Sequence, residues 1–148
     1  MIHHAAGVPE ALHLDGKDRH MKISGTGKND SLHGTPASDI INGGKGNDYI
    51  DGHGGDDILT GGAGADVFIF MPGGGSDMIT DFNAQEGDII LIDYDGTLSG
   101  ISTLSAATFA SADCNADGAM DTTLYLDGSS VVLLGVNSTD LASHILLV

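Results

Sequence analysis

The sequence contains a nine-residue period that repeats five times without a gap. From residue 25 the blocks read GTGKNDSLH, GTPASDIIN, GGKGNDYID, GHGGDDILT and GGAGADVFI. Every block opens with glycine, has aspartate at its sixth position and has a large apolar residue at its eighth. A nonapeptide period is typical of a parallel β-helix array, in which each unit buries its apolar face only by stacking on its neighbours.

The residue types predict how one block folds. Glycines in the first part of the block allow positive φ and bring backbone carbonyl oxygens close to a bound ion. The block then ends in a short strand whose central side chain points to one face. If each block makes half a coil, two apolar ladders should form, with Leu32, Ile50 and Phe68 in one sheet and Ile41 and Leu59 in the facing sheet.

The same geometry places the repeat aspartates along two edges. Asp30, Asp48 and Asp66 line one edge, and Asp39 and Asp57 line the other. Neighbouring carboxylates repel by on the order of 4 kcal/mol per close pair at an effective dielectric constant of about 20. Ca²⁺ converts that repulsion into attraction because it accepts mixed carboxylate and carbonyl ligands, whereas Mg²⁺ requires a smaller, near-octahedral shell. One GGxGxD stretch is equally compatible with an ordinary turn, but five in register indicate calcium.

The five blocks differ in their glycine content. Thr26 replaces a glycine in the first block, and Thr35-Pro36-Ala37 replaces two in the second. We therefore expect weaker or incomplete sites in the first two half-coils. The best sites should involve Asp48, Asp57 and Asp66.

The charge distribution agrees with a need for cations. The 148 residues include 21 acidic and 5 basic side chains, for a formal net charge of −16. The basic residues all lie in residues 1–45, where they cancel five acids, so residues 46–148 carry every uncompensated negative charge. This charge repels phosphate and anionic lipid, so nucleic acid is not an expected partner. The sequence has no run of 18 apolar residues, so we expect no membrane span.

The repeat and the segment that follows it resemble a known family. Residues 43–51 and 61–69 fully match GGxGxDxUx, where U is a large apolar residue, which is the repeat of RTX (repeats-in-toxin) calcium-binding proteins. The segment DVFIFMPGGGSDMITDFNAQEGDIILID, from Asp66 to Asp93, looks like the one that closes the β-roll in serralysin-type C-terminal domains (peptidase M10 C-terminal) and in mannuronan epimerase R-modules. The resemblance implies an all-β fold, a right-handed parallel β-roll capped by a C-terminal β-rich subdomain.

The resemblance also implies a place of action. RTX proteins of this type are extracellular, so we expect a secreted bacterial protein exported by type I secretion machinery through an uncleaved C-terminal signal. Met1 to Glu10 lacks a basic stretch followed by an apolar core, so we expect no N-terminal signal peptide.

Three segments are expected along the chain. Residues 1–24 form a flexible N-terminal leader, residues 25–82 the RTX β-roll, and residues 83–148 the C-terminal β cap with the secretion signal. We interpret Phe70-Met71-Pro72 as an insertion that ends regular coiling. Further elements are predicted: strands at 89–92, 122–126 and 131–134, a hairpin that joins the last two, a short helix at 102–110, and a helix cap at 138–140.

A second type of ion site is suggested within the cap. Asp113, Asn115, Asp117 and Asp121 stand at positions one, three, five and nine of an EF-hand type loop, with glycine at position six. Position twelve is leucine rather than the bidentate glutamate, so a calcium site and a polar turn between strands both remain open. Cys114 lies in this loop without a base nearby, which favours an incidental thiol over a nucleophile.

The expected calcium ligands, for about three to five ions, combine the repeat aspartates, the turn glycines, the aspartate after the insertion and the polar loop. They are Asp30, Asp39, Gly43, Gly44, Gly46, Asp48, Gly52, Gly54, Asp57, Gly61, Gly62, Gly64, Asp66, Asp77, Asp113, Asn115, Asp117 and Asp121.

Catalytic patterns are missing from the sequence. The seven histidines show no metal-ligand spacing, with His33 and His53 at variable repeat positions, and no HExxH, GxSxG or phosphate-cradling loop occurs. We therefore expect a non-catalytic Ca²⁺-binding module that folds on calcium binding after secretion. Two alternatives remain: a carbohydrate-binding or adhesin-like module that contacts extracellular polysaccharide or a cell surface, and a small hydrolase that uses a carboxylate pair.

Overall fold

A computed structural model of the chain describes residues 20–93, 108–112, 116–126, 128–137, 141 and 143–147. Within these residues the chain forms twelve β-strands, which confirms the expected all-β class. Their bounds are β1 Lys22–Ser24, β2 Ser31–His33, β3 Ile40–Lys45, β4 Tyr49–Asp51, β5 Ile58–Ala63, β6 Val67–Phe70, β7 Ser76–Ile79, β8 Ile89–Ile92, β9 Thr108–Ala112, β10 Asp121–Leu126, β11 Ser129–Leu133 and β12 Ile145–Leu147. In this part of the chain no helix is long and apolar enough to cross a membrane.

Strands β1 to β8 alternate between two sheets, so this part of the chain winds as a flattened coil. One sheet has the order β1-β3-β5-β7-β11-β10-β9, and the other has the order β12-β8-β6-β4-β2. All pairings among β1 to β8 are parallel. The predicted parallel β-roll is confirmed.

The interior consists of two facing apolar ladders in the predicted register. In one sheet Ile23, Ile41, Leu59 and Ile79 are successive partners. In the other sheet the partners are Leu32, Ile50, Phe68 and Ile90. Each of these side chains is 1% exposed or less. Burial of one such side chain stabilises the fold by about 1.5–3 kcal/mol, so the ladders supply the hydrophobic part of the stability.

Strands on either side of the nonapeptide blocks extend both sheets. β1 lies before residue 25 and pairs in parallel with β3. After residue 82, β8 pairs with β6, β12 pairs with β8, and β11 pairs with β7, again in parallel. The register places Ile145 on Ile90 and Leu133 on Ile79, so these strands cover the last rung of each ladder.

The coil lengthens after the fifth block. Stacked aspartates are 18 residues apart in the repeats, but the separation grows to 20 between Asp57 and Asp77 and to 22 between Asp66 and Asp88. Phe70, in the predicted insertion, is buried. Regular spacing ends there as predicted, yet coiling continues through β7 and β8 because the extra residues are accommodated in the turns.

The C-terminal segment contains the predicted hairpin and one element that was predicted wrongly. β10 and β11 pair antiparallel, with Leu124 opposite Val131. Residues 108–110, the end of the helix predicted over 102–110, lie instead in strand β9, which pairs antiparallel with β10. Backbone pairing with the open edge of β10 outweighs the weak local preference for helix. Residues 102–107 and the helix cap predicted at 138–140 lie outside the described residues.

Candidate calcium sites

Two ladders of aspartates run along the turns that connect the sheets. In each ladder the Oδ1 atom of one aspartate accepts a hydrogen bond from the backbone N–H of the aspartate one coil earlier, at 2.8–3.0 Å. The first ladder contains Asp30, Asp48, Asp66 and Asp88, and the second contains Asp39, Asp57 and Asp77. The two edges expected from the period are therefore present, and each continues by one aspartate beyond the repeats.

Three of these carboxylates keep one oxygen without a partner. The Oδ2 atoms of Asp48, Asp57 and Asp66 are buried and have no hydrogen-bond donor. The whole residues are at most 1% exposed, so water does not solvate the oxygens from outside. A buried, ionised oxygen that lacks a partner is costly, and a bound cation is the partner that removes the cost.

The opening glycine of each block makes room for this oxygen. A Cβ atom built on Gly43, Gly52 or Gly61 would overlap the Oδ2 atom of the aspartate five residues later. Any other residue would push the carboxylate out of its position. The combination of glycine at position one and aspartate at position six therefore builds a compact pocket of oxygen atoms, which suits a hard cation.

In the first two blocks a threonine contacts the aspartate Oδ2 atom that has no partner in the later blocks. The backbone N–H of Thr26 donates to Oδ2 of Asp30 at 2.5 Å, and its hydroxyl lies 3.0 Å from the same oxygen. Thr35 makes the same two contacts with Oδ2 of Asp39, at 2.5 and 3.0 Å. The threonines thus satisfy the oxygen that is left unpaired in the later blocks. Weaker ion sites at Asp30 and Asp39 stay a prediction.

Turn glycines bring the backbones of neighbouring coils close together. Gly44 and Gly62 have φ of 100° and 94°, and a Cβ atom on Gly62 would overlap the carbonyl oxygen of Gly44. Gly46 and Gly64, two residues further along each block, repeat this arrangement, because a Cβ atom on Gly64 would overlap the carbonyl oxygen of Gly46. The stacked carbonyl groups are a second source of oxygen ligands beside the carboxylates. Gly54 is less constrained, since a Cβ there would lie 3.6 Å from the Pro36 backbone.

Burial makes the aspartates hard to ionise without a cation. It raises the pKa of the Asp57 carboxyl to about 8 and that of Asp66 and Asp77 to about 6, and nearby carboxylates add to each shift. The pKa values of Asp48 and Asp88 are also raised, again mainly by burial. Opposing hydrogen bonds from backbone N–H groups only partly offset these shifts. The ladders therefore hold potential negative charge that a divalent cation stabilises.

Asp81 lies at the end of the roll and was not predicted as a functional residue. It follows the last nonapeptide block and does not continue the nine-residue spacing of the repeat aspartates. Its two oxygens accept the backbone N–H groups of Gly61 and Gly62, both at 2.8 Å. Asp88 is similarly satisfied, by Asp66 and by the N–H of Asn83 at 2.8 Å. These two carboxylates close the last turns by hydrogen bonding.

The EF-hand type loop is only partly described. Asp113, Cys114 and Asn115 lie outside the described residues. Asp117 is exposed and accepts the backbone N–H of Ala119 at 2.8 Å. Asp121 is buried at the start of β10, where its Oδ1 atom accepts the N–H of Gly135 at 2.7 Å.

One cluster of potential metal ligands was missed entirely. His33, Asp51 and His53 offer ligand atoms that all lie within 4.8 Å of one another. The histidines are 20 residues apart and so show no local motif. The signal was the coil length, because a residue 18 positions later stacks directly on its predecessor.

A family model and two solved structures match this chain. Residues 33–68 match the family described as RTX calcium-binding nonapeptide repeat, in 4 copies. The chain is similar to the extracellular lipase LipA from Serratia marcescens, with 25% identity and a TM-score of 0.50 over 86% of this chain and 21% of the lipase. It also matches the AlgE6R3 subunit of the mannuronan C5-epimerase from Azotobacter vinelandii, with 27% identity and a TM-score of 0.31 over 95% of this chain and 85% of that subunit.

No curated protein sequence matches the chain. The chain spans only 21% of the length of the lipase that it resembles. The resemblance to RTX proteins is nevertheless confirmed by the family match and by the parallel coil. Residues 33–68, which match the RTX calcium-binding nonapeptide repeat, form the central coils of this β-roll.

Proposed function

We propose that the chain is a non-catalytic calcium-binding module that folds on binding Ca²⁺ after export from the cell. The observation that carries this proposal is the set of three buried carboxylate oxygens, on Asp48, Asp57 and Asp66, that have no hydrogen-bond partner. Leaving a buried acceptor unpaired costs about 1–3 kcal/mol, and more when it is charged. Without cations the repeats therefore carry an electrostatic penalty, and Ca²⁺ removes it.

The proposed ligands have two chemical types. Carboxylates come first from Asp48, Asp57 and Asp66, then from Asp77 and, more weakly, from Asp30 and Asp39. Carbonyl groups come from the turn glycines, which are Gly43, Gly44, Gly46, Gly52, Gly54, Gly61, Gly62 and Gly64. Together they would hold about three to five ions, and the loop at 113–121 is proposed as a separate site.

The expected energies are large enough to control folding. A site with a Kd of about 0.1 mM contributes roughly 1.4 kcal/mol at about 1 mM Ca²⁺. Three or four such sites contribute on the order of 4–6 kcal/mol, which is comparable to the whole stability of many domains. Sub-micromolar Ca²⁺ contributes almost nothing by the same relation, so folding would follow the calcium concentration of the compartment.

Export through type I secretion machinery is part of the proposal. It rests on the RTX repeats and on similarity to a lipase that is described as extracellular. A chain that stays unfolded at low calcium and folds at high calcium suits passage through a narrow exporter. A non-catalytic role is supported by the chemistry of the described aspartates, whose oxygens face backbone N–H groups and one another inside the turns.

We propose the binding of an extracellular polysaccharide as the alternative role of the folded module. No lysine or arginine follows Lys45, so an anionic polymer would have to be held through bound Ca²⁺ or neutral groups. Retention on immobilised alginate in Ca²⁺ that persists in 1 M NaCl would support this role.

Circular dichroism of the full chain tests the proposal. We expect a largely disordered spectrum in calcium-free buffer and a β-sheet spectrum in millimolar Ca²⁺. Parallel samples in Mg²⁺ and in NaCl of equal ionic strength separate specific coordination from charge screening, and both should leave the chain mostly unfolded. A folded β-sheet spectrum that does not change when calcium is removed would contradict the proposal.

A further inference from the structure

His33, Asp51 and His53 form a compact cluster outside the two aspartate ladders. His33 ends strand β2 and Asp51 ends strand β4, and the two residues are direct partners in the parallel register. His53 follows Asp51 by two residues. The coil thus brings two imidazoles and one carboxylate to the same edge of the sheet.

The distances in this cluster suit a small tetrahedral ion. Oδ2 of Asp51 lies 3.3 Å from Nδ1 of His53 and 3.7 Å from Nδ1 of His33. A tetrahedral centre with bonds of about 2.0–2.1 Å separates its ligand atoms by roughly 3.3 Å. The two rings are stacked with their centroids 5.6 Å apart. The ligand atoms of all three residues lie within 4.8 Å of one another, and the two histidine side chains are 56% and 41% exposed.

Neighbouring groups already orient these ligand atoms. The Oδ1 atom of Asp51 accepts the backbone N–H of His53 at 2.9 Å, which holds Oδ2 toward the imidazoles. Nε2 of His33 lies 3.2 Å from the hydroxyl oxygen of Ser31. A histidine that binds a metal through one nitrogen commonly donates its other ring N–H to an oxygen acceptor, and Ser31 provides that acceptor.

The backbone at His53 is unusual. His53 has φ of 66°, whereas glycine occupies the same position of the neighbouring blocks at Gly44 and Gly62. A non-glycine residue with positive φ is uncommon, although histidine tolerates it better than most. This conformation places the imidazole beside Asp51 and His33 instead of leaving the turn without a side chain.

We propose that His33, Asp51 and His53 bind one zinc-class divalent ion, with water in the fourth position. Two imidazoles and one carboxylate are ligands that Zn²⁺ accepts readily, whereas Ca²⁺ prefers an all-oxygen shell. The site is therefore chemically distinct from the calcium sites. An ion held there joins β2 to β4 at their ends and should stabilise the pairing of two successive coils.

Isothermal titration of Zn²⁺ into the calcium-saturated full chain tests this site. We expect one ion to bind to the wild type, and at least tenfold weaker binding in each of the variants His33→Ala, Asp51→Asn and His53→Asn. Asparagine is chosen at residue 53 because it tolerates positive φ. The matched control is the double variant His3→Ala/His4→Ala, which removes the adjacent histidines of the N-terminal segment and should bind as the wild type does.

Co²⁺ supplies a second readout that depends on geometry. The wild type with one equivalent of Co²⁺ should show intense visible absorption typical of tetrahedral coordination, and the three site variants should lose it. Circular dichroism in Ca²⁺ should show that the variants remain folded. Unchanged Zn²⁺ affinity in the site variants, or loss of binding in the His3→Ala/His4→Ala control, would overturn the proposal.

Discussion

The backbone N–H of Asp39 donates to Oδ1 of Asp57, 2.8 Å away and 18 residues later in the chain. The bond joins two coils through one carboxylate oxygen and leaves Oδ2 of Asp57 buried without a partner. Asp39 stands in the same ladder, but Thr35 satisfies its Oδ2 atom through the backbone N–H and the hydroxyl. Two equivalent aspartates of the repeat therefore differ in whether the protein itself satisfies their second oxygen.

This difference predicts unequal effects on calcium binding. Asp57→Asn keeps a side-chain oxygen for the Asp39 N–H but removes the charge that a cation would meet. We expect calcium binding at the tight sites to weaken at least tenfold, or about 1.4 kcal/mol. Asp39→Asn removes the same charge where threonine occupies the oxygen, so it should leave the tight sites intact. Equilibrium dialysis with ⁴⁵Ca²⁺ measures both, and equal losses in the two variants would contradict the assignment.

The opening glycine of the fifth block should not tolerate a side chain. In Gly61→Ala the new methyl group would overlap Oδ2 of Asp66 and lie 3.0 Å from Cζ of Phe68. We expect a loss of about 1–3 kcal/mol in the free energy of unfolding at saturating Ca²⁺. Gly27→Ala is the matched control, because no atom lies within 4 Å of its Cβ position, and it should change stability by less than about 0.5 kcal/mol. Thermal unfolding of both variants measures the difference, and similar stabilities would refute the steric explanation.

The stability of the calcium-free chain should fall as pH rises from about 4 to about 8. Burial raises the pKa of Asp57 to about 8 and that of Asp66 and Asp77 to about 6, from an ordinary value of 3.8. In this window the folded state binds more protons than the unfolded state, so each step up in pH favours unfolding. The stabilisation of the folded state by these bound protons is complete below about pH 3.8. It is lost as the pH rises past the folded-state pKa values of about 6 and about 8.

Circular dichroism of calcium-free protein checks this dependence. We expect more β-structure at pH 5 than at pH 8, and the opposite order in millimolar Ca²⁺, because the ion requires ionised carboxylates. Calcium binding at pH 6–7 should release protons, which calorimetry in buffers of different ionisation enthalpy would detect. β-structure that increases from pH 5 to pH 8 without calcium would contradict the prediction.

Asp81 should matter through its hydrogen bonds rather than its charge. Asp81→Ala leaves the N–H groups of Gly61 and Gly62 without their carboxylate acceptor. We expect a loss of about 1–3 kcal/mol in the free energy of unfolding at saturating Ca²⁺. Glu86→Ala removes an equal charge from an exposed position nearby and serves as the control. Chemical denaturation would compare them, and an equal effect of the two variants would indicate that charge alone is responsible.

Much of the fold follows from a simple period. Glycine, aspartate and an apolar residue at fixed places in nine residues predicted the coil, the ladder of Leu32, Ile50 and Phe68, and the two aspartate edges. The strand predicted at Ile89–Ile92 and the hairpin after it are also confirmed. These predictions succeeded because each coil has the same local conformation, so the structure of one block predicts that of its neighbours.

The predictions failed where the conformation or role of a residue depends on a partner that is distant in sequence. Residues 108–110 lie in a strand rather than at the end of a helix, since their conformation depends on the open edge of β10. Asp81 was missed because its function is set by the backbone of Gly61 and Gly62, which lie 20 and 19 residues earlier, respectively. In both cases the partner is distant in sequence and follows no period.

The sequence by itself determined the repeat, its apolar ladders and the positions of the aspartates, because these depend on residue type at regular spacing. Only the tertiary structure decided which carboxylate oxygens stay unpaired. Thr35 reaches Oδ2 of Asp39, whereas Oδ2 of Asp57 has no donor in its turn. It also decided that His33 meets Asp51 and His53, since the distance between those side chains depends on how one coil stacks on the next.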